Sequence, residues 1–304
     1  MRHSTTFLML LIVASILVLL FLNLVLGSVS IPLKSVWNIV CGIGEEPVTW
    51  QNIVWKSRLP QALTALVAGA GLAISGLQMQ TVFRNPLAGP SVLGISSGAS
   101  MGVAFVVLLS GSLGGVALSK LGFMGEIALS IAAVIGSLSV MALIVYVSQK
   151  VKGNVTLLII GVMIGYVANA VIGVLKFFSV EEDIRAYVIW GLGSFSRVSG
   201  NQMMLFVAIM LVLIPLSFLL IKTLNLMLLG DGYARNLGLN IKRARLLVIT
   251  SAGVLTAIVT AYCGPIIFLG LAVPHLCRAI FQTSDHRILM PAVLFAGAAL
   301  ALVC

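Results

Sequence analysis

Apolar blocks of about 15 to 23 residues recur along the whole of this 304-residue chain, and short polar stretches separate them. A block of that length matches a helix that crosses a hydrocarbon core of roughly 30 Å. Inside a bilayer every backbone polar group must be bonded within the protein, which leaves only helices or closed barrels. The blocks do not alternate apolar and polar residues as barrel strands do. The pattern therefore predicts an all-α protein that crosses a membrane many times.

The composition excludes a soluble globular domain, because 60% of the residues are hydrophobic and 9% are charged. Soluble domains carry about 25% charged residues. The first block is longer than the core of a signal peptide and no small-residue cleavage site follows it, so we expect a retained helix. We predict about nine spans, at residues 7–26, 59–82, 91–109, 125–147, 155–175, 203–220, 246–262, 266–280 and 288–303.

Most of the charged residues behind the net charge of +10 lie outside the predicted spans. If the N-terminus is cytoplasmic and the spans alternate, most of the excess positive charge falls in cytoplasmic loops. This positive-inside pattern explains the basic pI without a nucleic-acid partner. The four cysteines are isolated and show no CxxC or Cys/His spacing, so they indicate small apolar side chains and no metal site.

A compact polar turn interrupts the apolar stretch from Arg58 to Ala99. It reads Arg84-Asn85-Pro86-Leu87-Ala88, and Pro90 follows it. Proline lacks the backbone N–H and clashes with the preceding helical turn, so the chain must reverse here. The cation of the turn indicates that it lies on the cytoplasmic side.

A few polar side chains lie within the second span or at its start. Gln78 and Gln80 lie deep in it, where an unpaired amide is costly. They either bond to neighbouring helices or face a water-filled path, and the sequence leaves both open. Arg58 and Lys56 at its outer start suit an interfacial anchor, since long cationic side chains reach from apolar surface to water.

The longest predicted cytoplasmic stretch is Thr223–Arg245, which we call the inner segment. Asp231 can cap a short helix and pair with Arg235 four residues on. Gly238 predicts the end of that helix, and Asn240 can cap a second helix that leads into the seventh span. Two short helices with small residues at the bend suit docking into a groove on another protein. The alternative is an ordinary basic loop.

A further run extends from Gly264 to His275 and is followed by Arg278 and the triplet Asp285–Arg287. His275 could serve as a proton relay or metal ligand, but a lone histidine near the end of a span is more often a hydrogen-bonded structural residue. The carboxylate and the guanidinium of the triplet could form a local ion pair, which is weak when solvated.

These three segments resemble the FecCD-type permeases, the membrane subunits of ABC importers for ferric siderophores, haem and cobalamin. The resemblance covers about a third of the chain. It implies one transmembrane permease domain over residues 1–304 in a bacterial inner membrane, with the coupling helices at 223–245. The family has ten spans, so the last is missing from the predicted set. The family-motif residues are Arg84, Asn85, Pro86, Pro274, His275, Arg278, Asp285, His286 and Arg287.

The resemblance also implies roles and partners. The partners are a second permease copy, two ATPase subunits that carry ATP and Mg²⁺, a periplasmic or lipid-anchored binding protein, and the bilayer; the chain itself needs no cofactor. ATPase coupling is expected at Gly230, Asp231, Ala234, Arg235, Leu237 and Gly238. Binding-protein docking is expected at Arg58 and Lys56, because Gln61 stands where the family has a second cation. Pathway and gate positions are expected at Gln80, Asn154, Thr156, Gly191 and Gly193.

The predicted function is therefore the permease subunit of an ATP-driven importer of an iron chelate, with a ferric siderophore ahead of haem or cobalamin. No GxxxxGK[ST] motif occurs, so ATP hydrolysis is expected in a separate subunit and the chain is not itself an enzyme. Three alternatives remain: a stand-alone carrier or channel, an intramembrane enzyme, and a truncated, non-functional permease paralogue. The spans hold few acids, unlike ion-coupled carriers, and no paired catalytic residues.

Overall fold

The computed structural model describes residues 2–112, 123–151, 153–198 and 200–304. Within these ranges the chain is helical and no β-strand occurs, which confirms the predicted all-α class. The helices are α1 (Arg2–Val25), α2 (Leu33–Cys41), α3 (Val48–Ile53), α4 (Leu59–Phe83), α5 (Ile95–Ser112), α6 (Phe123–Lys150), α7 (Asn154–Phe177), α8 (Glu181–Gly191), α9 (Gly200–Phe218), α10 (Ile221–Leu228), α11 (Asp231–Asn236), α12 (Ile241–Cys263), α13 (Leu269–Phe281) and α14 (His286–Val303). A π-helical turn, Val54–Arg58, joins α3 to α4, and short 3₁₀ turns occur at Pro90–Leu93 and Phe195–Arg197.

In the part of the chain that the structure describes, 7 helices are long and apolar enough to cross a membrane, fewer than the predicted nine spans. Two predicted spans, 91–109 and 266–280, correspond to α5 and α13, which are not among these 7. Helix α5 begins at Ile95 and not at residue 91, because a 3₁₀ turn precedes it and ends at Gly94, which has a φ of +75°. The second begins only at Leu269, because the residues after Gly264 are not helical.

Helix α4 is the centre of the molecule. Of the residues in the most apolar stretch of its span, 89% are buried, whereas 6% are buried in the corresponding stretch of α1. It packs against α14, α12, α13 and α9. Apolar side chains gain nothing by leaving lipid for protein, so membrane helices pack closely where small residues let their backbones approach. A Cβ atom at Gly76 would overlap the carbonyl oxygen of Gly270, and one at Gly69 would overlap that of Gly297.

Glycines also join α5 to its neighbours. A Cβ atom at Gly98 would lie 2.6 Å from the carbonyl oxygen of Gly136 on α6. A Cβ atom at Gly94 would lie 3.0 Å from that of Gly161 on α7. The glycine pairs in the third and fifth predicted spans are therefore packing residues, as the small-residue pattern indicates.

The two ends of α4 define the two ends of the fold. Arg58 lies at its start, beside the end of α1. Arg84 caps its end and reaches the inner segment. The predicted docking and coupling residues therefore lie at opposite ends of one central helix.

Candidate functional site: the inner segment and its contacts

The inner segment, Thr223–Arg245, comprises most of α10, all of α11 and the first turn of α12. Gly230 and Gly238 flank α11 with φ values of +99° and +86°, a region that favours glycine. At the end of α11 the N–H of Gly238 bonds to Arg235 O at 2.9 Å, and the N–H of Leu239 bonds to Ala234 O at 3.0 Å. These two bonds form a Schellman motif, which satisfies carbonyls that a helix end leaves unpaired. The predicted stop at Gly238 is confirmed.

The caps of the two helices differ from each other. The side-chain oxygen of Asn240 accepts a hydrogen bond from the N–H of Arg243 at 3.1 Å, which confirms the predicted cap of α12. Gly230, not Asp231, is the cap residue of α11, and no side-chain cap bond forms there. Asp231 instead stands in the first turn, where a carboxylate is favoured by the helix dipole. The predicted Asp231 cap is wrong.

Asp231 also has other partners than the one predicted. Its Oδ1 lies 2.6 Å from Arg84 Nη2 and its Oδ2 lies 3.6 Å from Arg245 Nη2. No ion pair with Arg235 occurs in the described part of the chain, although the two residues are four apart. A local pair was expected because spacing is all that the sequence supplies. The folded chain brings two nearer cations from α4 and α12.

One face of the inner segment is exposed and the other is packed. Tyr233 is 74% exposed and Leu237 is 62% exposed, whereas Ala234 between them is fully buried. Arg235 and Lys242 border a concavity of about 390 Å³ next to this face. Exposed apolar side chains rimmed by cations are typical of a surface that another protein covers.

The turn after α4 is held in one conformation. Arg84 adopts a left-handed backbone with φ of +50°. The side-chain oxygen of Asn85 accepts the N–H of Leu87 at 2.9 Å, an Asx turn that Pro86 reinforces by ending the helix. Arg84 Nη2 also donates to Met227 O at 3.2 Å. The family-motif turn therefore contacts the inner segment directly.

The structure assigns different roles to the two histidines of the last motif. His275 is exposed, and no hydrogen bond of its side chain occurs among the described residues. The prediction that His275 is a hydrogen-bonded structural residue is therefore wrong. His286 is 1% exposed, and its Nδ1 lies 2.7 Å from Asn225 Oδ1 while its Nε2 lies 2.8 Å from Thr81 Oγ1. His286 is the hydrogen-bonded structural histidine.

Asp285 caps α14 instead of pairing with Arg287 through side chains. Its Oδ1 accepts the backbone N–H of Arg287 at 2.9 Å and a side-chain N–H of Asn225 at 2.7 Å. These two hydrogen bonds, the backbone bond first, hold the pKa of the carboxyl below its usual range. The predicted ion pair within the triplet does not form in the described chain.

The glutamines of α4 bond to neighbouring helices. Gln80 Nε2 donates to Leu271 O at 3.0 Å, and Arg278 Nη1 donates to Gln80 Oε1. Gln78 Nε2 donates to Ser251 Oγ at 3.1 Å. The sequence left open whether these glutamines bond to neighbouring helices or face a water-filled path. In the structure both bond to neighbouring helices. A pathway role of Gln80 stays a prediction, with its side chain buried between α4 and α13 in this conformation.

At the opposite end of α4, the side chain of Arg58 is hydrogen-bonded to backbone carbonyls. It is 7% exposed, and its guanidinium donates to Leu24 O at 2.7 Å, to Val25 O at 2.8 Å and to Val29 O. The last carbonyls of a helix lack helical partners and attract a cation, so Arg58 caps the C-terminus of α1. Arg58 is therefore not a free surface cation. Lys56 is exposed and remains the candidate for docking.

A model of the FecCD transport family matches residues 15–304. The chain belongs to this family. It is 35% identical over 278 residues to the hemin transport system permease protein HmuU of Yersinia pestis, covering 91% of this chain and 79% of that protein. It is 36% identical over 248 residues to the vitamin B12 import system permease protein BtuC of Klebsiella pneumoniae, covering 82% of this chain and 71% of that protein.

A solved structure is similar to this FecCD-family chain over nearly its whole length. It is described as an inward-facing conformation of a proposed metal-chelate type ABC transporter. The TM-score is 0.82 at 27% sequence identity, with 97% of this chain and 88% of that chain covered. The resemblance stated from the sequence motifs is thereby confirmed.

The remaining predicted positions of this FecCD-family member lie apart from the inner segment. Asn154 begins α7, but its side chain lies outside the described residues; Thr156 in the same turn is exposed. Gly191 ends α8. Gly193 has φ of +69°, and the next residue, Ser194, donates its N–H to Cys263 O at 2.7 Å. The gate and hinge roles of these residues stay predictions.

Sequence reasoning missed three residues of the site: Thr81, Asn225 and Arg245. Each is a polar residue with an apolar neighbour in the sequence. A polar residue in such a position needs a partner when it is buried, and this could have pointed to all three. Among the described residues no group of three His, Cys, Asp or Glu side chains could hold a metal ion.

Proposed function

We propose that this chain is the permease subunit of an ATP-driven importer of a metal chelate. One observation carries the proposal beyond family membership: the exposed face of the inner segment, with Tyr233 and Leu237, is tied to the end of the central helix by the Arg84–Asp231 ion pair. A partner that moves the inner segment would therefore also move α4. This is the connection that a separate ATPase subunit needs in order to drive a membrane pathway.

The substrate class follows from the relatives. One named relative transports hemin and the other imports vitamin B12, and their identities to this chain, 35% and 36%, do not separate the two. Both substrates are metal ions enclosed in large organic chelates. We propose a chelate of this size as the substrate, and ferric siderophores remain candidates with haem and cobalamin.

The proposed assembly has two permease copies, two ATPase subunits at the inner segments and a binding protein at the other end of α4. ATP binding closes the ATPase subunits, the inner segments follow, and the path between the permeases opens alternately to each side. Substrate and nucleotide shift the populations of these states. The proposed orientation places the N-terminus in the cytoplasm of a bacterial cell, as the charge distribution indicates.

The test is a detergent pull-down of the tagged chain from its native membrane, with mass spectrometry for a protein that contains a P-loop. Gly238→Trp should abolish recovery of the ATPase, because a bulky residue at φ of +86° distorts the end of α11. Leu237→Asp places a charge on the exposed face without disturbing the fold and should have the same effect. Gly44→Trp is the matched control, since Gly44 has φ of +79° and lies between α2 and α3, outside the inner segment.

Recovery of an ATPase that is lost in both inner-segment variants and kept in Gly44→Trp supports the proposal. Proteoliposomes that contain the recovered complex then identify the substrate by ATP-dependent uptake of haem, cobalamin and a ferric siderophore. If the unmodified chain recovers no ATPase and carries substrate across vesicles without ATP, a stand-alone carrier is the correct reading and the proposal fails.

A further inference from the structure

A continuous chain of hydrogen bonds connects the inner segment to the centre of the molecule. Asn225 on α10 bonds to His286 on α14, and His286 bonds to Thr81 on α4. The two side-chain contacts measure 2.7 Å and 2.8 Å. His286 is 1% exposed and Thr81 is 2% exposed. Three helices that are far apart in sequence therefore meet through one buried imidazole ring.

The orientation of each group in this chain is fixed by its neighbours. The side-chain nitrogen of Asn225 donates to Asp285 Oδ1 at 2.7 Å, so its oxygen faces His286. That oxygen accepts the backbone N–H of His286 at 2.9 Å as well as the ring Nδ1 at 2.7 Å. A carboxamide oxygen can only accept, so Nδ1 carries the proton and, in the neutral ring, Nε2 accepts from the Thr81 hydroxyl.

The Thr81 hydroxyl has a second acceptor within reach, Leu77 O at 2.8 Å. It has one proton, so it bonds either to that carbonyl or to the neutral ring of His286. Because Nδ1 of His286 donates to Asn225, Nε2 of the neutral ring is an acceptor that competes with Leu77 O for the Thr81 proton. The chain connects the position of α10 to the hydrogen bonding within the central helix.

This buried link differs from the ion pair at the surface. Arg84 and Asp231 are both more than two fifths exposed, so water and salt weaken their attraction. Hydrogen bonds shielded from water are stronger and tolerate little displacement before a polar group is left unpaired. A movement of α10 must therefore be followed by α14 and α4, or the three side chains lose their partners.

We propose that Asn225, His286 and Thr81 are positioning residues that transmit the movement of the inner segment to α4 and α14 during transport. The inference rests on the proposed function and adds the link between ATPase docking and the spans. It requires the three residues to act as one unit, because interruption at any position breaks the same chain. Their loss should separate ATP hydrolysis from transport without preventing assembly.

The test measures substrate uptake per ATP hydrolysed by the complete complex in proteoliposomes. Thr81→Val has the shape of threonine without the hydroxyl, and Thr81→Ser keeps the hydroxyl. Asn225→Ala removes the acceptor on α10, and its matched control is Asn23→Ala, which removes a 2.7 Å bond from α1 to Leu302 O on α14 outside the inner segment. We expect uptake per ATP to fall on the order of tenfold in Thr81→Val and Asn225→Ala, and to stay unchanged in Thr81→Ser and Asn23→Ala.

A double variant tests whether the residues act as one unit. Thr81→Val combined with Asn225→Ala should lower uptake per ATP no further than either change alone. A purely structural network would lower the yield and thermal stability of the complex but leave uptake per ATP unchanged in what assembles; that result would overturn the inference. Additive losses would also overturn it. Absence of any ATPase from the unmodified chain is a different result and counts against the proposed function.

Discussion

Arg84 and Asp231 form a 2.6 Å ion pair although 147 positions separate them in the sequence. The pair joins the residue that ends the central helix to the first residue of α11. Arg84 adopts the left-handed conformation that glycine usually takes at a helix end, which costs an arginine on the order of 1 kcal/mol. Its side chain offsets this cost by contacting both Asp231 and the carbonyl of Met227.

The first prediction compares the two ends of this pair. Arg84→Gly removes the cation but also relieves the backbone, so we expect the free energy of unfolding to change by less than about 1 kcal/mol. Asp231→Asn should cost more, about 2 kcal/mol, because Arg245 is 9% exposed and loses its nearby carboxylate. Thermal unfolding in detergent at low and high salt measures both values. A larger loss in Arg84→Gly than in Asp231→Asn would contradict this account.

The second prediction concerns Arg58 at the start of α4. Arg58→Met should lower the free energy of unfolding by about 3 kcal/mol, because charged hydrogen bonds to the carbonyls at the end of α1 are lost. Lys56→Met, a change two residues away at an exposed position, should leave stability within about 0.5 kcal/mol. Thermal unfolding of the two variants side by side measures the difference.

The affinity of the permease for its binding protein provides a second comparison of Lys56→Met with Arg58→Met. If the exposed cation docks the binding protein, Lys56→Met should weaken that complex in a folded permease. Arg58→Met should act mainly through stability, so its affinity per folded molecule should be close to that of the unmodified chain. Equal stability of the two variants would show that the contacts of Arg58 contribute nothing to the fold.

The sequence was sufficient for the fold class and for two local features of the inner segment. Apolar block length predicted the helices, and the stop at Gly238 and the cap at Asn240 depend only on residues a few positions away. The helix starting at Leu269 was predicted too long, because hydropathy continues through residues that are not helical. A near partner alone was not sufficient, since the predicted Asp231 cap and the side-chain ion pair of Asp285 with Arg287 do not form among the described residues.

Partners far away in the chain could not be predicted. Spacing suggested Arg235 for Asp231, whereas the fold supplies Arg84 and Arg245. Motif position suggested His275 as the structural histidine, whereas packing of α14 against α4 and α10 gives that role to His286. A single sequence gives each residue type and spacing but no distances between helices.

The third prediction concerns close contacts between backbones. Gly76→Ala should prevent folding or lower stability by about 3 kcal/mol or more, because the new methyl group would overlap the carbonyl oxygen of Gly270. Gly173→Ala is the matched control in the interior of α7, where no atom lies within 4 Å of the new Cβ. It should be neutral or stabilise by up to about 1 kcal/mol through helix propensity. The yield of monodisperse protein and its unfolding temperature measure both effects.

The fourth prediction is a pH dependence that comes from Asp285. Hydrogen bonds from the N–H of Arg287 and the side chain of Asn225 lower the pKa of this carboxyl in the folded chain. A lowered folded pKa means that the ionised group stabilises the fold above the unfolded pKa of about 3.9 and that this stabilisation is lost as pH falls through the folded value. Stability should therefore decline on acidification below about pH 4.

Asp285→Asn provides the comparison, because its side-chain oxygen can still accept both hydrogen bonds but carries no charge. We expect the unmodified chain to be the more stable above about pH 5, and the gap to narrow as pH falls from about 4 to about 2. Unfolding temperatures of both proteins in detergent across this range measure the gap. A constant gap would mean that Asp285 has the same pKa in the folded and unfolded chain, and the cap would then act through its oxygen alone, independent of charge.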